Sequence, residues 1–150
     1  MTASIHTPHA LAPEGIKAMM ALEQSLAHSG LDHRLLELVK YRVSQIDGCA
    51  FCLHMHATDL RRHGESELRL YLLTAWREST LYSERERAAL GWAEALTHLP
   101  ESQAPDADYA ALAAVFSESE RVWLTLAIGA INSWNRLQVG FRVPHPVVDA

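Results

Sequence analysis

The chain has 150 residues, 49% of them hydrophobic, and a formal net charge of -5, with a mean hydropathy of -0.06. That length suits one domain with a real core, and the acidic balance argues against a nucleic-acid or anionic-membrane surface as the main partner. The longest apolar run, residues 122–131, is broken by Thr125 and Gly129 and falls far short of the about 20 residues that span a bilayer.

At the N-terminus, Met1-Thr2-Ala3-Ser4-Ile5-His6-Thr7-Pro8-His9 has no basic run leading into an apolar stretch. No signal peptide is expected, and the cytoplasm is the expected compartment. Apolar residues at helical spacing follow over residues 13–28, with Pro13 suited to the first turn and Gly30 to the stop. Asp32 is placed to cap a second helix carrying Leu35, Leu36, Val39, Val43 and Ile46 up to Asp47-Gly48. A third runs from Cys49 to Arg61-Arg62-His63-Gly64, whose basic cluster reads as a solvated helix end favoured by the dipole.

Residues 65–77 place Leu68, Tyr71, Leu72, Ala75 and Trp76 at the 3.6-residue period. Ser83-Glu84-Arg85-Glu86 is a capping box that opens a helix reaching Pro100, and residues 101–108 read as the main loop. A short helix over 108–115 precedes a second capping box, Ser117-Glu118-Ser119-Glu120, and a last helix over 120–138 that is apolar nearly all round. Arg142-Val143-Pro144-His145-Pro146 cannot continue it. The expectation is an all-α, single-domain bundle of six to seven helices spanning residues 1–150, with no strand. Trp76, Trp92, Trp123 and Trp134 read as core packing. A helix apolar on every side must be buried within one core or between subunits, so a homo-oligomer is expected.

The chemistry concentrates in Asp47-Gly48-Cys49-Ala50-Phe51-Cys52-Leu53-His54-Met55-His56, which holds both cysteines of the chain. On a helix, Cys49, Cys52 and His56 share one face. Thiols at i and i+3 can close a disulfide with little backbone movement, and a neighbouring imidazole can take a thiol proton. Following Asp47-Gly48, both cysteines should sit in the first helical turn, where unpaired N–H groups favour a thiolate over the free thiol of pKa about 8.5. In a cytoplasmic chain, a C-x-x-C pair reads as catalytic, redox-active or metal-binding rather than as a structural bridge. His54 suggests a C-x-x-C-x-H-x-H zinc site, but it lies about 200° of helical rotation past Cys52 and so leaves the cysteine face. Glu37, with Tyr41 and Ser44, forms a polar stripe on an otherwise apolar helix. It either faces solvent or folds back across the Asp47-Gly48 turn to orient His56.

The stretch Glu37-Leu38-Val39-Lys40-Tyr41-Arg42-Val43-Ser44-Gln45-Ile46-Asp47-Gly48-Cys49-Ala50-Phe51-Cys52-Leu53-His54-Met55-His56 resembles the core motif of the AhpD-like alkylhydroperoxidase group, within the carboxymuconolactone decarboxylase superfamily. The match is a glutamate twelve residues before the first cysteine, a serine between, then C-x-x-C-x-x-x-H. Ala130-Ile131-Asn132-Ser133-Trp134-Asn135-Arg136-Leu137 resembles the Asn-containing last helix of that family. The resemblance covers about residues 31–137. Two positions depart from it: Asp47 stands where asparagine is common, and Phe51 where some active peroxidases carry histidine.

The resemblance implies a helical fold assembling as trimers or hexamers, and a proton relay carried onto Glu37, His56 and Cys52. Cys52 would attack a hydroperoxide and Cys49 would resolve the product as a disulfide. A lipoyl-bearing or thioredoxin-like dithiol protein would then reduce the bridge. No organic cofactor or metal is required. Three other readings remain at this level: a lactone-decarboxylating lyase of the same superfamily, a non-enzymatic metal-binding or redox-sensing module, and a structural oligomer with an inert C-x-x-C.

Overall fold

The computed structural model describes residues 7–147. Residues 1–6, part of the stretch read for a signal peptide, lie outside them. Among the described residues the chain forms nine α-helices and one 3-10 turn, with no strand: α1 (Pro8–Leu11), α2 (Pro13–Ala27), α3 (His33–Asp47), α4 (Ala50–Arg62), α5 (Glu67–Leu72), the turn Leu73–Ala75, α6 (Glu84–Thr97), α7 (Leu99–Ser102), α8 (Asp106–Val115) and α9 (Glu118–Gly140). No described helix is long and apolar enough to cross a membrane.

Nine helices replace the six to seven expected. The two additions are single turns, α1 and α7, each with a proline at its first or second position, where a missing N–H costs nothing. Four residues are too few to show a periodic pattern, so α1 went unread and the α7 turn fell across the end of one expected helix and the start of the expected 101–108 loop. Gln103 and Ala104, both at positive φ, end α7. The helix expected over 65–77 is shorter as well. Ser66 caps it through the Arg69 N–H, and Glu65 stays outside as a buried carboxylate held by Arg69 and Arg34.

Both capping boxes form as read, Ser83 with Glu86 and Ser117 with Glu120, and Asp32 accepts the Leu35 N–H at 3.0 Å. The main core gathers Leu35, Leu36, Val39 and Val43 of α3 with Ala89 and Trp92 of α6, Leu112 of α8, and Leu124, Ile128 and Ile131 of α9. A second cluster joins Leu38 to Leu73, Trp76, Tyr82 and Leu90. Each leucine removed wholly from water contributes about 1.5–3 kcal/mol. The last helix carries apolar residues beyond its buried face: Leu124, Ile128 and Ile131 are buried, while Val122 and Leu126 are exposed.

α3 is the organising element, packing against α4, α9 and α6. With neighbours on three sides it has little solvent face, so Glu37, Lys40 and Ser44 are buried along with its apolar residues. It ends in a two-residue connection to α4. Gly48 takes φ 67°, ψ 35°, and the Gly48 and Cys49 N–H groups donate back to the carbonyls of Gln45 and Ser44, closing a Schellman-type stop. This turn makes α3 and α4 an antiparallel hairpin, with His33 against Asp59 at its open end and Glu37 against His56 further in.

Nothing lies within 4 Å of a Cβ built on Gly48, so its requirement is purely conformational. Gly48→Ala should cost about 1–2 kcal/mol of unfolding free energy. Gly129→Ala, within α9 and also unobstructed, should add about 0.5–1 kcal/mol. Urea unfolding checks both, and equal midpoints for the two variants would contradict the left-handed requirement.

Candidate functional site

Cys49 is the residue before α4 rather than part of its first turn, with φ -89° and ψ 98°, and its Sγ accepts the Cys52 N–H at 3.2 Å. The sulfur therefore occupies the position of a capping oxygen, among the free N–H groups of the helix start. Cys52 lies within the first turn as expected. The two are joined as a disulfide with their Cα atoms 5.3 Å apart, and both are buried.

His56, one turn past Cys52, meets Glu37 across the hairpin: Nδ1 lies 2.6 Å from Glu37 Oε2. An ionised carboxylate only accepts, so Nδ1 carries the hydrogen and, in the neutral ring, Nε2 is left as the acceptor. His56 Nε2 is buried and has no hydrogen-bond partner. Glu37 is thus not on a solvent-facing stripe. Of its expected companions, Ser44 is fully buried, its one hydroxyl hydrogen shared between the Lys40 carbonyl at 2.8 Å and Asn135 Oδ1 at 3.2 Å. Tyr41 packs against the second cluster.

Three further residues extend the site. Lys40 Nζ donates to Glu23 Oε2 at 2.9 Å and sits 3.6 Å from Glu37 Oε1, and Trp134 Nε1 donates to Glu23 Oε1 at 3.1 Å. A chain of contacts therefore runs Trp134–Glu23–Lys40–Glu37–His56 through α9, α2, α3 and α4. Burial pushes the Glu37 carboxyl upward, but the His56 hydrogen bond and the neighbouring Lys40 charge hold the group below its ordinary value. Glu23 and Lys40 were not read as site residues from sequence. The available signal was Lys40 at i+3 from Glu37 on a helix with apolar residues on most sides.

Glu37, Lys40, Cys52 and His56 line a cavity of about 540 Å³ together with Glu23, Gln138 and the apolar side chains of Ile16, Met20, Phe51, Met55, Ile131 and Trp134. Cys49 lines a separate recess of about 250 Å³ with Gly48, Phe51, Gln138 and Arg142. Phe51 thus forms part of both walls. Asp47 accepts a hydrogen bond from Asn135 Nδ2 at 2.8 Å, which ties the end of α3 to α9. That is a use for an acceptor at this position, which a carboxylate meets as well as an amide oxygen would.

His54 stacks on His145, with ring centroids 6.0 Å apart. Among the described residues, the one grouping of three metal-type donors is His33, Asp59 and His63, whose ligand atoms lie within 4.8 Å of one another. These residues already satisfy one another: His33 Nε2 lies 2.7 Å from Asp59 Oδ2, and His63 Nδ1 lies 2.8 Å from the Asp59 carbonyl.

The family model of the carboxymuconolactone decarboxylase family matches residues 13–95. The sequence is 44% identical over 129 residues to the uncharacterized protein YdfG of Bacillus subtilis (strain 168), covering 86% of this chain and 88% of that protein. It is 33% identical over 116 residues to the uncharacterized protein YnjA of Escherichia coli (strain K12), covering 77% and 63%. Among solved structures, a protein of unknown function from Agrobacterium tumefaciens, described as a candidate antioxidant-defence protein AhpD, superimposes with a TM-score of 0.93 at 49% identity over 98% of this chain and 100% of that one. The fold is shared also with the debrominase Bmp8 (TM-score 0.82, 19% identity, 92% and 74% covered). An alkylhydroperoxidase AhpD core protein from Ralstonia eutropha JMP134 has it too (0.79, 19%, 92% and 74%).

Because the Glu37 carboxyl is lowered on folding, its contribution to stability is complete above the ordinary carboxylate value and is lost as pH falls through the lowered one. Urea unfolding from about pH 7 to about pH 3 should show Glu37→Gln losing about 1–3 kcal/mol at the neutral end, with a shallower acid decline than wild type. Parallel declines in the two proteins would contradict this.

Proposed function

The chain belongs to the carboxymuconolactone decarboxylase family as an AhpD-like member, and from that premise we propose that it is a thiol-dependent hydroperoxide reductase. One observation carries the reading: Cys52 and His56 line the same cavity, His56 Nε2 has no hydrogen-bond partner, and Glu37 holds the other ring nitrogen. A base with its acceptor nitrogen free beside a thiol, and a carboxylate fixing its tautomer, is the nucleophile–base–orienter arrangement.

In the reduced protein His56 Nε2 takes the Cys52 proton, and the thiolate attacks the terminal oxygen of a hydroperoxide. An S–O bond forms as the O–O bond breaks, the alkoxide leaves with the proton from Nε2, and Cys52 becomes a sulfenic acid. The Cys49 thiol attacks that sulfur, expelling water and forming the Cys49–Cys52 disulfide. Their Cα separation of 5.3 Å supports this resolving step without backbone rearrangement. A dithiol donor, lipoyl-bearing or thioredoxin-like, returns the pair to thiols by exchange. Such a cycle suits a reducing cytoplasm, and we include in the reading a trimer or hexamer, supported by the exposed Val122 and Leu126 on α9.

Phe51 supplies an apolar wall where some relatives would place a second imidazole. The relay proposed here uses His56 alone, and the open apolar side of the cavity favours organic hydroperoxides.

Cys52→Ser should abolish turnover. Cys49→Ser should consume about one equivalent of hydroperoxide per chain and stop, and His56→Ala should slow turnover about a hundredfold or more. Hydroperoxide consumption with a dithiol donor measures all three, and full activity in Cys52→Ser would overturn the assignment.

A further inference from the structure

Two buried side-chain polar atoms among the described residues have no hydrogen-bond partner: His56 Nε2 and Gln138 Oε1. Both residues line the cavity that holds Cys52. A buried acceptor with nothing to accept is costly, which makes it the place where a ligand's hydrogen belongs. The His33–Asp59–His63 group shows the opposite condition, since its members already bond to one another.

Gln138 is held at its backbone carbonyl and at its amide nitrogen. It lies near the end of α9, one turn beyond Asn135, which bonds Ser44 and Asp47. Its carbonyl accepts the Val143 N–H at 2.9 Å, and its Nε2 meets His9 Nε2 at 3.3 Å. The amide is therefore engaged at its nitrogen end and free at its oxygen. Gln138 also borders the recess at Cys49, so it stands alongside both cysteines.

We propose that Gln138 binds the substrate, its Oε1 accepting the hydrogen of the terminal O–H of an organic hydroperoxide. This deepens the peroxidase reading above and rests on it. The terminal oxygen is the one Cys52 attacks, and it keeps its own hydrogen throughout, ending as the sulfenic S–O–H. Gln138 holds that hydrogen and exchanges no proton. The proton gained by the leaving alkoxide comes from His56 Nε2, which had taken it from Cys52. Two fixed points, one acceptor for the terminal O–H and one donor for the departing oxygen, orient the O–O bond toward the sulfur. Ile16, Met20 and Trp134 receive the organic group.

Gln138→Met keeps the length and removes the amide oxygen; Gln138→Leu removes it with a shorter, branched side chain. In full-length protein with tert-butyl hydroperoxide and a dithiol donor, each should lower kcat/KM about tenfold or more. Alkylation of reduced Cys52 by iodoacetamide, which offers no O–H to bind, should stay within about twofold of wild type. A structural role would slow both reactions together. Peroxidase activity within about twofold of wild type in a variant with normal alkylation would overturn the assignment of Gln138, as would a parallel fall in the two rates. A wild-type protein inert toward the hydroperoxide would remove the peroxidase reading itself, and this inference with it.

Discussion

Glu37 and His56 meet at 2.6 Å where each side chain is less than a tenth exposed, and the geometry of the site depends on that contact. The carboxylate settles which ring nitrogen carries the hydrogen, which in turn leaves the other, buried, without a partner. It also joins the middle of α3 to the middle of α4. Burying a carboxylate is unfavourable unless charge and hydrogen bonds compensate. Here His56 and Lys40 do so together, with Glu23 and Trp134 fixing Lys40 in turn. Glu37 is thus maintained as an anion by residues from three other parts of the chain.

The hairpin that presents this pair follows from one backbone position. Gly48 reverses the chain in two residues by adopting a left-handed conformation, and the next residue, Cys49, begins the N-terminal cap of α4. The same turn therefore sets the spacing between Glu37 and His56 and places a sulfur at a helix start. α9 secures it from outside through Asn135, which bonds Ser44 on one side and Asp47 on the other. A polar network placed here excludes alternative registers between α3 and α9 more strongly than apolar contacts would, because each misplaced group would be left unsatisfied.

Local signals made much of this legible. Asp32, Ser83 and Ser117 announce helix starts by chemistry that acts within three residues, and Gly48 announces a stop in the same way. The spacing of Glu37, Cys49, Cys52 and His56, with the family resemblance it carries, pointed to the pairing across the hairpin. Other features needed the tertiary arrangement. Whether the stripe of Glu37, Tyr41 and Ser44 faced water could not be decided from α3 alone, because burial came from α4, α6 and α9 around it. Lys40 reads in isolation as a surface lysine, and its partner Glu23 lies 17 residues away on α2. Gln138 is invisible as a motif: its interest lies in a buried oxygen without a hydrogen-bond partner, which only the fold reveals. The single-turn helices α1 and α7 were too short to show a period at all.

If Glu37 and His56 act on the Cys52 sulfur as one unit, thiol reactivity reveals it without a substrate or a physiological reductant. The direct measurement is the rate of Cys52 alkylation by iodoacetamide against pH in reduced Cys49→Ser protein, alone and combined with Glu37→Gln or His56→Ala. The parent protein should react faster at neutral pH than either combination, and the two combinations should have similar profiles displaced toward higher pH. One profile shared by all three proteins would contradict it.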